Sequence, residues 1–147
     1  MSEEKNEFDA ELEEIRQRRM RSLLEKKETE AQKGLSWPQH PIEISDRNLN
    51  EIVKKYPVVI VDCWAPWCAP CHMVAPVIEA LARDYQGRVV FGKLNVDEHQ
   101  ATPASYGIMS IPTLLVFKNG ALAGQHVGAM PRRMLEPMIT KYLSGEG

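Results

Sequence analysis

Three cysteines in 147 residues are too few for the disulfide scaffold of a small secreted domain, so each thiol is judged on its reactivity rather than as a staple. No apolar run approaches the ~18 to 20 residues that a bilayer-crossing helix needs. The opening Met1-Ser2-Glu3-Glu4-Lys5 lacks the apolar stretch of a secretory signal. These absences predict an intracellular, cytoplasmic protein with no membrane partner. Charge of one sign is also missing: 18 Lys and Arg stand against 20 Asp and Glu, which leaves no long-range field to attract nucleic acid. What is present, 44% hydrophobic and 26% charged residues, suits one modest globular domain with an appendage.

The appendage is the charged part. From Ser2 to Lys33 there is neither proline nor glycine, and Gly34 follows at once, the pattern of a solvated helix with a terminal stop. The segment holds ten acids and eight bases, leaving ten of each for the rest, so the whole net charge of −2 resides here. Phe8, Leu12 and Ile15 follow the i, i+4, i+7 spacing of one helical face, but Arg19 interrupts the stripe before Leu23 and Leu24 resume it. An exposed helix held by Glu to Lys/Arg pairs is the plain reading, and a docking helix for a partner or second subunit is its rival. Two prolines, Pro38 and Pro41, then prevent any helix from continuing, so residues 1–40 are read as extension and linker and residues 41–147 as the folded domain.

Beyond Pro41, short apolar runs alternate with helical stretches, which predicts an α/β domain. Pro41 to Ile44 reads as a short strand, and Asp46 as the cap of a helix running to about Lys55. Val58-Val59-Ile60-Val61, apolar on both faces, should be a central buried strand. Cys71 to Tyr85 has helical spacing, with Pro76 expected to kink it and Gly87 to end it. Val89 to Val96 is a further strand. Leu114 to Phe117 leads through Asn119-Gly120 into Ala121 to Val127, a strong hairpin signal. Arg132 to Leu143 is expected to be a helix that Pro137 bends or divides.

The informative stretch runs from Val61 to Cys71, because it places the thiols of Cys68 and Cys71 three residues apart where a buried strand gives way to a helix. Residues i and i+3 of a first helical turn are neighbours, so both sulfurs reach disulfide distance with little backbone movement. At the helix N-terminus, unpaired N–H groups and the dipole favour the Cys68 thiolate by ~0.3 to 1 kcal/mol. Cys71, one turn deeper, is then the resolving thiol. A CxxC also opens many zinc sites, but a structural zinc needs four ligands and no second CxxC exists, so no metal or other cofactor is expected. The lone Cys63 reads as a small core residue, and His40, His99 and His126 as surface residues.

The sequence resembles the thioredoxin family over essentially all of residues 42 to 147. Asp62-x-Trp64-Ala65-x-Trp67-Cys68-x-Pro70-Cys71 matches the family's active-site segment. Lys93-Leu94-Asn95-Val96-Asp97, Tyr106-Gly107-Ile108, Ile111-Pro112-Thr113-Leu114 and Phe117-Lys118-Asn119-Gly120 follow in the family's order and spacing. The resemblance implies a thioredoxin fold, a central mixed β-sheet flanked by helices, here with an N-terminal helical extension. It implies a protein-disulfide reductase that acts on disulfide-containing target proteins and is restored by a thioredoxin reductase. Asp62 becomes the proton acceptor for Cys71, and Lys93 the cation that tunes it. Ile111-Pro112 becomes a cis peptide whose backbone pairs with a substrate chain, and Trp67, Met109, Gly128 and Ala129 the rim of the docking surface. Three departures stand out: Ala69 for the usual Gly, His72 for the usual Lys, and the N-terminal extension. His72, beside Cys71, is a candidate modulator, since an imidazolium there would favour a thiolate. The rival reading keeps the fold as a binding adaptor in which the charged helix carries the partner interaction.

Overall fold

The computed structural model describes residues 9–22 and 37–144. The chain divides into two units, the first ending at Ser36 and the second beginning at Trp37. In the first unit, residues 9–22 form helix α1, on which Leu12, Ile15 and Met20 are exposed. Phe8, Leu23, Leu24 and Gly34 lie outside the described residues, so the full apolar stripe expected from the spacing does too.

The second unit is built in the order β1 (Ile42–Ile44), α2 (Leu49–Lys55), β2 (Val58–Trp64), α3 (Ala69–Asp84), β3 (Val90–Asn95), α4 (Ala101–Ser105), β4 (Thr113–Lys118), β5 (Ala121–Val127) and α5 (Arg132–Leu143). The strands form one sheet in the order β1-β3-β2-β4-β5. β1, β3 and β2 run parallel, whereas β4 and β5 are antiparallel additions on the other side of β2. The sheet is therefore mixed, and β2 is its centre, as its run of apolar residues predicts.

Alternation along β2 sends Val58 and Ile60 into one core cluster with Phe91, Leu114 and Val116 from its neighbours, Val74, Ile78 and Leu81 of α3, and Leu135, Ile139 and Tyr142 of α5. The next residue of that face is Asp62, so period two alone delivers a carboxyl group into an apolar layer. Val59, Val61 and Cys63 point to the opposite face and are equally buried. On that face Phe117, paired with Val59, meets the Tyr106 ring edge-on at 5.5 Å.

Several local expectations are corrected. Asp46 does not cap α2, whose N-cap is Asn48. Its carboxylate accepts from Ala101 N–H (3.2 Å) and Thr102 N–H (2.8 Å), and so caps α4 from a distance. The helix before Gly87 starts at Ala69, with Pro70 in its first turn where a missing N–H does no harm, and closes at Asp84. Gly87 instead supplies a left-handed turn at φ +88°. Pro76 and Pro137 both lie inside helices, and α5 is a single undivided element. Both prolines face solvent, the buried stripe of Leu135, Ile139 and Tyr142 holds α5 together, and Arg132 braces it through Glu136 at 2.7 Å. His126 is no free surface group. Its Nε2 lies 2.9 Å from the Tyr142 hydroxyl, which approaches because Gly124 has no Cβ to block it, and burial pulls the imidazole below its ordinary value.

Candidate active site

The site forms where β2 ends. Trp64 closes the strand, Ala65 to Trp67 turn the chain, and Cys68 becomes the N-cap of α3, its sulfur accepting from Cys71 N–H at 3.3 Å. Cys68 and Cys71 are joined as a disulfide across a Cα separation of 5.3 Å. The geometry gives the two sulfurs unequal surroundings. Cys68 sits at the positive end of a 16-residue helix with a backbone donor aimed at it, whereas Cys71 belongs to the helix itself. Both cysteines pack with Ala65, Trp64, Val96 and Ile111 in a small apolar cluster.

Around this buried pair the surface is apolar and open. Trp67 is 71% exposed and Met109 97% exposed. With Val96, Ile108 and Ile111 they line a groove of about 390 Å³. Ile111-Pro112 is a cis peptide, and the Pro112 carbonyl accepts from Gly128 N–H at 2.8 Å. Gly128 adopts φ +102°, a conformation open to glycine, and so turns the chain from the end of β5 into exposed Ala129.

Asp62 is 1% exposed and neither of its carboxylate oxygens has a hydrogen-bond partner among the described residues. Burial pushes its carboxyl up to about 6, and the opposing pull of Lys93 is the smaller effect. Lys93 is the direct neighbour of Asp62 in the parallel register of β2 and β3, and its Nζ lies 4.4 Å from the Trp64 ring centroid. The cation is thus shared between a buried carboxyl and an aromatic face. Cys63 is buried, and desolvation followed by the neighbouring Asp62 charge pushes its thiol up to about 12, which suits an inert core group.

His72 is exposed, yet its ring is engaged: Nε2 lies 2.7 Å from the Pro66 carbonyl oxygen, and the ring stands edge-on to Trp64. Asp97 has no role in the sequence reading. It accepts from Trp67 Nε1 at 3.1 and 3.3 Å and so fixes the exposed indole beside the disulfide. The two residues are 30 positions apart, which leaves no local signal, although Asp97 stands within the Lys93–Asp97 segment that carries the family resemblance. No group of three His, Cys, Asp or Glu side chains among the described residues is placed to hold a metal ion.

Comparison with known proteins agrees with this geometry. The thioredoxin family model matches residues 40–141. The chain is 43% identical over 103 residues to thioredoxin of Haemophilus influenzae, covering 69% of this chain and 96% of that protein. It is 46% identical over 102 residues to thioredoxin 2 of Chlorobaculum tepidum, covering 69% of this chain and 94% of its relative. Among solved structures, a mutant thioredoxin from Halobacterium salinarum superposes with a TM-score of 0.68 at 33% identity, over 72% of this chain and 93% of its own. With a matched domain that spans most of the chain and the CxxC pair closed at the start of α3, the protein belongs to the thioredoxin family and is a thiol–disulfide oxidoreductase whose redox pair is Cys68 and Cys71.

Proposed function

We propose that the reduced protein works by two successive exchanges with Cys68 as nucleophile and Cys71 as resolving thiol. The Cys68 thiolate attacks one sulfur of a target disulfide, forming a Cys68–target bond and expelling the other target sulfur as thiolate. Cys71 gives its proton to Asp62, attacks the Cys68 sulfur and releases the second target thiolate, leaving the target reduced by two electrons and the pair oxidised. Asp62 suits the acceptor role because its carboxyl, held at about 6, is ionised at neutral pH yet basic enough to take a proton. Lys93 sets how far that carboxyl rises.

The target, a disulfide-containing protein, docks on Trp67, Met109, Gly128 and Ala129, with the backbone at Ile111 and Pro112 receiving an extended segment. A thioredoxin reductase returns the dithiol, and a reducing compartment such as the cytoplasm is where that cycle runs. Exposed Leu12 and Ile15 of α1 offer a further protein contact. The observation that carries the reading is the Cys71 N–H aimed at the Cys68 sulfur at the N-cap of α3. Turnover of insulin disulfides tests it. Cys68→Ser should abolish reduction, and Cys71→Ser should accumulate a mixed disulfide with the target. Retained turnover in Cys68→Ser would overturn the assignment.

A further inference from the structure

The loop that carries Cys68 is held by the Trp67 bonds to Asp97, by backbone bonds and by the cysteine pair itself. Cys68 N–H donates to the Ala65 carbonyl (3.1 Å), and His72 N–H to the Cys68 carbonyl (3.4 Å). Cys71 N–H donates to the Cys68 sulfur, and the disulfide closes the same short span covalently. One side chain adds a tie across it, His72 Nε2 at 2.7 Å from the Pro66 oxygen. A carbonyl only accepts, so Nε2 carries the proton of this bond. The imidazole is also backed by Trp64, whose ring lies edge-on at 6.2 Å and 73°. Trp64 is in turn held by the Lys93 ammonium over its face. The ring is therefore lodged between the end of β2 and the active-site loop, although solvent reaches it.

Resting on the reading of Cys68 and Cys71 as the working pair, we infer that His72 is a positioning residue whose bond to the Pro66 carbonyl holds the Cys68 loop in the seat that the disulfide requires, and so favours the disulfide over the dithiol. In the oxidised protein the covalent bond already fixes the loop, so the strap forms with no further ordering cost and acts at full strength. Reduction replaces that bond by two thiols whose sulfurs cannot stay at bonding distance, so the loop gains room to shift although Trp67 stays bonded to Asp97. A side-chain bond that spans Pro66 to His72 must then offset the cost of ordering that span, and is weaker in the dithiol than in the disulfide. An interaction stronger in one state than in the other moves the equilibrium by the difference.

The full chain, wild type, H72L and H72Q, is equilibrated with defined ratios of reduced to oxidised glutathione, in which two glutathione thiols convert the disulfide to the dithiol and leave one oxidised glutathione. The reduced fraction is read by alkylation and mass, and thermal unfolding is followed for both redox forms. H72L should move the equilibrium toward the dithiol by about three- to fivefold, the scale of one net hydrogen bond, and should lower the melting temperature of the oxidised form more than that of the reduced form. H72Q keeps an N–H donor at similar reach and should stay within about twofold of wild type. An unchanged equilibrium in H72L, or a shift in H72Q as large as that in H72L, would overturn the inference. Neither readout depends on target turnover, so failure of the strap is distinguished from failure of the exchange mechanism, which Cys68→Ser reports.

Discussion

Asp62 holds its proton to about pH 6 because a carboxylate at 1% exposure with no hydrogen-bond partner among the described residues has lost its hydration. The sign of the consequence is opposite to that of most carboxylates. The folded value lies above the ordinary 3.8, so between about pH 4 and 6 the folded chain binds more protons than the unfolded one, and stability falls as pH rises through that window. At neutral pH the ionised group destabilises the fold by on the order of 2–3 kcal/mol. Urea unfolding should therefore show Asp62→Ala more stable than wild type by on the order of 1–3 kcal/mol at pH 7.5, with the gain gone below about pH 4. The same variant should resolve its mixed disulfide at least about tenfold more slowly at pH 7, measured by single-turnover kinetics. The cysteine pair is legible in the sequence because its spacing is local, and Asp62 is legible through its place in the segment that resembles the family's active site. The bonds from Trp67 to Asp97 and from His72 to Pro66 are not, since the first crosses 30 residues and the second depends on which way one ring turns.

Among the elements, Asp46 shows how a correct residue type can serve another helix. An Asp before an apolar stretch reads as a cap for the next helix in the chain, but Ser45 and Asn48 satisfy each other's backbone N–H groups there, at 2.7 and 3.1 Å, and leave Asp46 free to reach α4. Hydrogen bonds from Thr102, side chain first, outweigh the slight desolvation of this exposed residue and hold its carboxyl below the ordinary value. The stabilisation it gives is present above about pH 4 and lost as pH falls through the lowered value, the reverse of Asp62. Asp46→Ala should cost about 0.5–1 kcal/mol at pH 7 and progressively less as pH falls below about 4, by thermal unfolding, with faster amide exchange at Ala101 and Thr102 as its local signature. The strands are the most legible elements, because the buried run of β2 and the Asn119-Gly120 turn, both residues at positive φ, leave little choice. Helix ends are less so. Tertiary packing of Leu135, Ile139 and Tyr142 decides that α5 continues past Pro137, and packing is not written in local propensity.

At the scale of the whole molecule, the redox pair, the buried carboxyl and the apolar groove all lie in the second unit, and the family match begins at residue 40. A chain starting at Trp37 should therefore fold and reduce insulin within about twofold of the full-length rate, since truncation leaves the second unit and the family-matched segment whole. An adaptor with a vestigial pair, its work resting on the charged helix, would instead show little turnover in either chain and lose its partner on truncation. The proposed chemistry stands on the inequality of the two sulfurs. Its most direct measurement is the iodoacetamide alkylation of the fully reduced chain, tracked residue by residue by mass spectrometry across pH. Cys68 should be labelled first, with half-maximal rate at a pH below that of an ordinary thiol, Cys71 should react more slowly, and Cys63 should stay unlabelled while the chain is folded. Labelling of Cys71 before Cys68, or of neither faster than a free cysteine, would contradict it.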